Sequence, residues 1–222
     1  RPKVVVGENV PHLGRLAGGA YLKRILNDLE AEGYSFRVWD IHCPSYGLPQ
    51  SRRRLFLIGV RNDIPGFPLK PTPTHTDAYF TIDRALADLE RIDDETVPNQ
   101  SQYFIASRAT SGGGQGDHAN QRGDVSYCIR ANARGRIQFH YSLDRRLTVR
   151  ECARLQSFPD TFVFPFTTQR NLTLIGNAVP PIIGHMIAES IAGFFRGECE
   201  QDTNAMCDFD VARNASQIEM TL

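Results

Sequence analysis

Apolar positions along this chain change period several times, and each change marks an element. Val4-Val5-Val6 is a β-branched run closed by Gly7 and reads as a buried strand. Between Ala17 and Gly33, Tyr21, Ile25, Leu26 and Leu29 recur at helical spacing, with Gly33 as the stop. Phe36–Ile41 alternates apolar with polar side chains, and Leu55–Val60 is a second β-like run. The loop between them, SYGLPQSRRR, is too long for a tight hairpin and rich in arginine. The first third therefore predicts strand, helix, strand, loop, strand, as in half of an α/β sheet.

Farther along, the chain turns proline-rich from Pro65 to about Pro98, with one amphipathic helix predicted around Thr81–Arg91. Ser107–Gly123 is dominated by Gly, Ser, Gln, Asn and Arg, which supply no core and predict a surface loop. Val125–Arg130 and Arg136–Tyr141 alternate as strands would, around a turn at Ala133-Arg134-Gly135. Thr148–Phe158 predicts a helix with Thr148 as N-cap and Glu151 closing a capping box. Ile182–Phe195 predicts another, entered through Pro180-Pro181. After Arg196 the chain becomes a polar, acidic tail.

Composition narrows the class without naming it. With 222 residues, 41% hydrophobic and 23% charged, the chain is long enough for a real core and excludes fibrous or wholly disordered readings. No apolar run approaches the ~20 residues that span a bilayer, and RPKVVVGENV lacks the plan of a signal peptide. A start at Arg1 rather than Met points to a cut or truncated product. The five cysteines are scattered and never form CxxC, which argues against a disulfide framework or zinc site and for a reducing cytosol.

Net charge is zero, yet it is a cancellation of blocks. Residues 1–64 carry 10 basic and 6 acidic side chains, 65–97 carry 3 and 7, 98–158 carry 9 and 4, and 159–222 carry 3 and 8. All but three of the basic groups are arginine, whose planar fork pairs bidentately with phosphate or guanine. A bias in the gene's base composition would produce the same preference.

Four segments, in order, resemble the second half of the DNA cytosine-5-methyltransferase family: Gly7-Glu8-Asn9-Val10, Gln50-Ser51-Arg52-Arg53-Arg54, Arg146–Asp160 (RLTVRECARLQSFPD) and Gly176–Pro181 (GNAVPP). The resemblance covers roughly residues 1–197 and implies an α/β fold: the C-terminal part of a Rossmann-like, S-adenosylmethionine-dependent methyltransferase sheet plus a small, mostly β target-recognition domain. It divides the chain into 1–64 (second half of the catalytic domain), 65–145 (target recognition), 146–197 (return to the catalytic domain) and a 198–222 tail.

The residues themselves suit that chemistry. A carboxyl at a strand's end, such as Glu8, can donate to ring N3 of a cytosine when protonated and accept from the exocyclic amine. An ordinary turn-capping Glu would occupy the same place. Gln50, Arg52 and Arg54 alternate and, if extended, project to one face, where two guanidinium groups could clamp the phosphates flanking an extruded nucleotide. A solvated charge run is the alternative for SRRR. By resemblance, Glu8, Arg52 and Arg54 are the catalytic set, and Asn177, Ala178 and Val179 close the S-adenosylmethionine pocket. Gln50, Arg108, Ser111, Gln115, Arg122 and Arg134 are candidates for DNA contact, with a disordered surface loop as the alternative for 107–122. Cys152 is expected to be structural.

Three parts of the family's pattern are missing from the 222 residues: an FxGxG-like glycine loop, the acidic ribose-binding residue after it, and the Pro-Cys-Gln nucleophile. Cys43 precedes Pro44, but it follows Glu-Asn-Val instead of preceding it and reads as structural. A mechanism needing thiolate attack at C6, methyl transfer to C5 and loss of the C5 proton lacks its nucleophile here. The expectation is a bacterial, cytoplasmic and nucleoid-associated chain that acts on double-stranded DNA with a flipped cytosine. It is inactive until joined by an N-terminal half, in the same polypeptide or as a separate subunit of a split enzyme, and has no role at a membrane. The rivals are a non-catalytic, sequence-specific DNA-binding module and an unrelated α/β enzyme with an Arg-lined anion site.

Overall fold

The computed structural model describes residues 1–90, 117–131 and 138–200. Contacts group the chain into two compact units. One comprises Arg1–His42, Arg53–Thr72 and the chain from His185 on; the other comprises Cys43–Arg52 and Pro73–Gly184.

The first unit is built on three strands, β1 (Val4–Asn9), β2 (Tyr34–His42) and β3 (Arg53–Arg61), with helix α1 (Ala20–Ala31) between β1 and β2. The predicted order of elements holds, with β2 and β3 longer at both ends, and β1 at its C-terminal end, than the apolar runs alone indicate. Sheet order is β1-β3-β2 and both pairings are antiparallel, Val4 facing Val60 and Tyr34 facing Arg61. β3 is central, which is why Leu55–Val60 is an unbroken buried run. β1 is not the buried strand that Val4-Val5-Val6 predicts. It is an edge, and Val6 is 46% exposed.

α1 begins at Ala20, three residues later than predicted. Ala17 (φ 50°) and Gly19 (φ 87°) both lie in the left-handed region, so the helix cannot extend back through them. Its Leu22 packs with Tyr34, Phe36, Val38, Leu55 and Leu57. Gly59 faces that layer so tightly that an added Cβ would stand 2.5 Å from the Phe36 ring and from Val5. On the other side of the sheet, Val60, Phe67 and Phe194 form a smaller cluster. Phe67 belongs to β4 (Phe67–Pro68), and Phe194 to the end of α5 (Pro181–Phe195).

The second unit gathers α2 (Ile82–Leu86), α3 (Val149–Leu155) and α4 (Thr168–Asn177) on one core that includes Ile82, Leu86, Val149, Ala153, Leu155 and Ile175. The capping box of α3 is present as predicted. Glu151 N donates to Thr148 Oγ1 at 3.1 Å, and Thr148 N donates to Glu151 Oε2 at 2.8 Å. The predicted Thr81–Arg91 helix is only the five residues of α2, followed by a turn. Val125–Arg130 forms no strand. It contributes one bridge, Ser126 to Gln50, because its main-chain groups are tied to side chains and loops. β5 (His118–Ala119) and β6 (Gln138–Phe139) pair in parallel. β7 (Cys199–Glu200) pairs with β4. Among the described residues, the recognition stretch 65–145 thus holds only two-residue strands and one short helix.

Sequence patterning missed α4. Thr168–Phe195 together make a 28-residue stretch long and apolar enough, by composition, to cross a membrane. It is broken at Ala178–Pro180 into helices of 10 and 15 residues. The longer spans about 22 Å, short of a ~30 Å hydrocarbon core.

Within the second unit, His140 is buried beside Glu151 (Nε2 to Oε1, 3.5 Å), and Arg145 makes a two-pronged contact with the same carboxylate at 2.7 and 2.8 Å. Burial holds the His140 pKa below its ordinary value, with Arg145 adding to the effect against Glu151. In the first unit, burial and Arg53 lower His42 likewise. Both imidazoles take up a proton less readily in the folded chain than in the unfolded one. Their stabilisation is therefore complete above the ordinary value near 6.5 and is lost as pH falls from there through the lowered folded values.

Two measurements check this core. The urea midpoint is expected to fall steadily between pH 7.5 and 5, and less steeply in His140→Gln; a flat profile contradicts the placement of His140. Gly59→Ala is expected to destabilise by about 1–3 kcal/mol through overpacking, and a change within ~0.5 kcal/mol would show the Phe36–Val5 contact to be loose.

Candidate active site

β1 delivers Glu8 and β3 delivers Arg54 to neighbouring positions in the first unit. Glu8 lies opposite Phe56, and Arg54 two residues along the same strand. Arg54 Nε donates to Glu8 Oε1 at 2.7 Å, with the two side chains 14% and 29% exposed. Arg54 also donates to the carbonyl of Arg53 at 2.8 Å, which fixes its fork. Glu8 is thus held through one oxygen, while the other has no partner among the described residues. With Asn9, Val6, Leu13 and Ile25 it lines a cleft of about 530 Å³ on the exposed side of β1.

Arg53 turns to a different partner, placing Nε and Nη2 on the two oxygens of Asp40 at 2.8 and 2.6 Å. The three consecutive arginines therefore have three separate environments, and SRRR is no solvated charge run.

Arg52 is 2% exposed, and its guanidinium is engaged by the protein itself. Nη1 donates to the carbonyl of Ile129 at 3.1 Å, and Nη2 donates to those of Gly176 (3.1 Å) and Ala178 (2.9 Å). Gln50 is fully buried. Its Nε2 donates to Gln156 Oε1 at 2.6 Å and to Leu155 O at 3.2 Å, while its Oε1 accepts from Ile129 N at 2.9 Å. Both residues were expected at DNA on the premise that 50, 52 and 54 share one open face. That expectation is corrected: the segment leading into β3 folds into the second unit, where Ser51 N donates to Ser126 O and Ser126 N to Pro49 O. The donors of Arg52 meet carbonyl oxygens instead of phosphate.

Asn177 closes α4 and is exposed, and its amide makes no hydrogen bond with the described residues. Ala178 lies in an extended conformation (φ −68°, ψ 148°), and its carbonyl accepts from both Arg52 and Gln156. Val179 is half-buried. An unpartnered amide beside a pinned turn is a donor set that fits a polar, nucleoside-like ligand. Ile182 N at the start of α5 is met by Ser157 Oγ at 3.1 Å.

Of the DNA candidates, Arg108, Ser111, Gln115 and Arg134 lie outside the described residues. Arg122 is on the surface, 3.7 Å from Glu90 and stacked over the Tyr141 ring at 5.1 Å. Cys152 and Cys43 are buried, and burial pushes the Cys152 thiol well above its ordinary pKa, as befits a structural side chain. Gln156 was not singled out from sequence. A glutamine at a helix end has no periodic signature, and only its partners reveal it.

The comparisons with known proteins agree with these motifs. The profile of C-5 cytosine-specific DNA methylases matches residues 1–130 and 99–193, so the chain belongs to that family. It is similar to the type II methyltransferase M1.HphI of Haemophilus parahaemolyticus, at 31% identity over 86% of this chain and 57% of the relative. It is also similar to M.BspRI of Lysinibacillus sphaericus, at 29% over 87% of this chain and 52% of the relative. The chain thus spans little more than half the length of these relatives. Among solved structures, a DNMT2 variant of Spodoptera frugiperda superposes with a TM-score of 0.59 at 13% identity, covering 86% of this chain and 66% of that one. The fold is that of the α/β methyltransferases.

The assignment of Arg52 is open to direct measurement. Arg52→Met takes a donor from three carbonyls, of which that of Ala178 keeps Gln156, and is expected to cost about 3 kcal/mol in urea denaturation, whereas Arg54→Met is expected to change stability by no more than about 1 kcal/mol. Equal, small effects would return Arg52 to the role of a surface clamp.

Proposed function

We propose that this chain is the C-terminal portion of a DNA (cytosine-5-)-methyltransferase, supplying the base-stabilising carboxylate, the recognition region and one wall of the methyl-donor pocket. The observation that carries this reading is the Glu8–Arg54 pair. A carboxylate fixed through one oxygen by a guanidinium keeps its other oxygen available to a cytosine edge at the mouth of an open cleft. When protonated it donates to N3, and when ionised it accepts from the exocyclic amine. The donation to N3 favours nucleophilic attack on C6 by balancing the negative charge that develops on the ring, and the contact with the amine holds the base in place. The target cytosine leaves the duplex to reach it, since C5 and C6 are shielded within the stack.

Asn177, Ala178 and Val179 are the residues that hold S-adenosylmethionine, through the free amide of Asn177 and the turn's main chain. The cofactor supplies the methyl group. Arg122 and the stretch 107–122, with Arg108, Ser111 and Gln115, face double-stranded DNA together with Arg134. The nucleophilic cysteine belongs to an N-terminal half, in the same polypeptide or in a second subunit, and the 222-residue chain without it is inactive. The type II relatives of bacterial origin support a modification enzyme of the bacterial cytoplasm acting on the nucleoid.

The test is a chimera in which the part of M1.HphI preceding its alignment with this chain is fused ahead of Arg1. It is expected to incorporate methyl groups at C5 of cytosine in duplex DNA, while the unfused chain incorporates none. Glu8→Gln in the chimera is expected to lower turnover at least 100-fold with DNA affinity retained. Site-specific, salt-sensitive binding by the chimera without methyl transfer would favour a binding module, and turnover by the unfused chain would overturn the split.

A further inference from the structure

Three side chains buried in the second unit form one polar network that the reaction scheme above does not use. Gln156, at the C-terminal end of α3, donates from Nε2 to the carbonyls of Ile175 (3.0 Å) and Ala178 (2.9 Å) and accepts at Oε1 from Gln50 (2.6 Å). Arg52 reaches two carbonyls of the same turn, Gly176 and Ala178, and also Ile129 O. Gln50 completes the circuit by accepting from Ile129 N. The main chain of Ile129 is therefore gripped at both its N–H and its C=O by side chains that also grip, directly or through Gln156, the turn after α4.

A second set of contacts places the same two stretches together without these side chains. A Cβ on Gly176 would stand 2.3–2.6 Å from the main chain of Arg130 and Ala131, so the backbones touch there. Thr173 Oγ1 lies 3.1 Å from Ala131 O and 3.0 Å from Gln169 O, its one proton shared between the two carbonyls. Packing for stability alone would be met by apolar side chains at these positions. What the polar network adds is direction, since each carbonyl must point at its donor.

We propose that Gln156 is a positioning residue for the methyl-donor turn. With Arg52 it sets the orientation of Gly176–Val179 and ties that turn to Ile129 in the recognition-side stretch, so that the two move as one body. This rests on the reading of Asn177–Val179 as the S-adenosylmethionine contact. The tie itself is independent of that reading and is tested separately. Gln156 touches neither cofactor nor base and acts only through the turn.

The tie is read first in the unmodified 222-residue chain by native-state hydrogen exchange. The amides of Ile129, bonded to Gln50, and of Ala178, bonded to Leu174 O and Ile175 O, are expected to open with the same denaturant dependence. Different slopes would overturn it, and this measurement needs no variant to fold. In Gln156→Met, close in length but without donors, both amides are expected to exchange at least tenfold faster while that of Cys152 inside α3 is unchanged. A uniform rise across the unit, or none, would overturn it.

In the chimera described above, Gln156→Met is expected to raise the KM for S-adenosylmethionine about tenfold and leave kcat within threefold. A loss of kcat at unchanged KM would overturn the positioning role. A parent chimera that takes up no S-adenosylmethionine would instead overturn the proposed function, with the exchange data still deciding the tie.

Discussion

A buried cation that gathers three main-chain carbonyls organises the second unit. Arg52 donates to the carbonyls of Ile129, Gly176 and Ala178, which belong to stretches far apart in sequence. Removing a guanidinium from water is costly unless its donors are met, so the carbonyls must converge where they do. That requirement explains why Pro49–Arg52 lies along Ser126 instead of continuing β3 backwards, and why the chain passes between the two units at Arg52–Arg53.

One residue later the chemistry changes. Arg53 and Arg54 belong to β3 and face carboxylates, Asp40 across the sheet on one side and Glu8 on the other. The central strand thus receives a charged partner from each neighbour at the same end of the sheet. The Glu8 pair is partly open to water, where an ion pair contributes little to stability. Its value is orientation, because a carboxylate tethered through one oxygen presents the other in a fixed direction.

Much of the first unit was legible in the sequence because its strands are apolar runs and its helix has a clear stripe. The capping box at Thr148 was equally legible, since it depends on two residues three apart. Glu8 and Arg54 were singled out by motif, and the sheet brings them together as an ion pair. Arg52 and Gln50 were misplaced for a physical reason: an alternating pattern shows which residues share a face only if the segment is a strand, and this one is a loop that enters a core. Nothing in a run of three arginines distinguishes the buried one. The helix α4 was hidden because its polar residues, Gln169, Arg170 and Asn171, open it, and Asn171 is buried by bonding to the carbonyls of Phe164 and Phe166 rather than by apolar contact.

β1 carries Glu8, yet one long edge of that strand has no neighbour among the described residues, and Val6 and Val10 stand open to solvent. Strands in that situation fray and exchange their amides before central ones do. The carboxylate proposed to meet a cytosine therefore stands on an edge strand of its sheet, and its aim is only as steady as whatever lies against that edge. Under the proposed function, a segment that pairs with that edge would steady the carboxylate as well as extend the sheet.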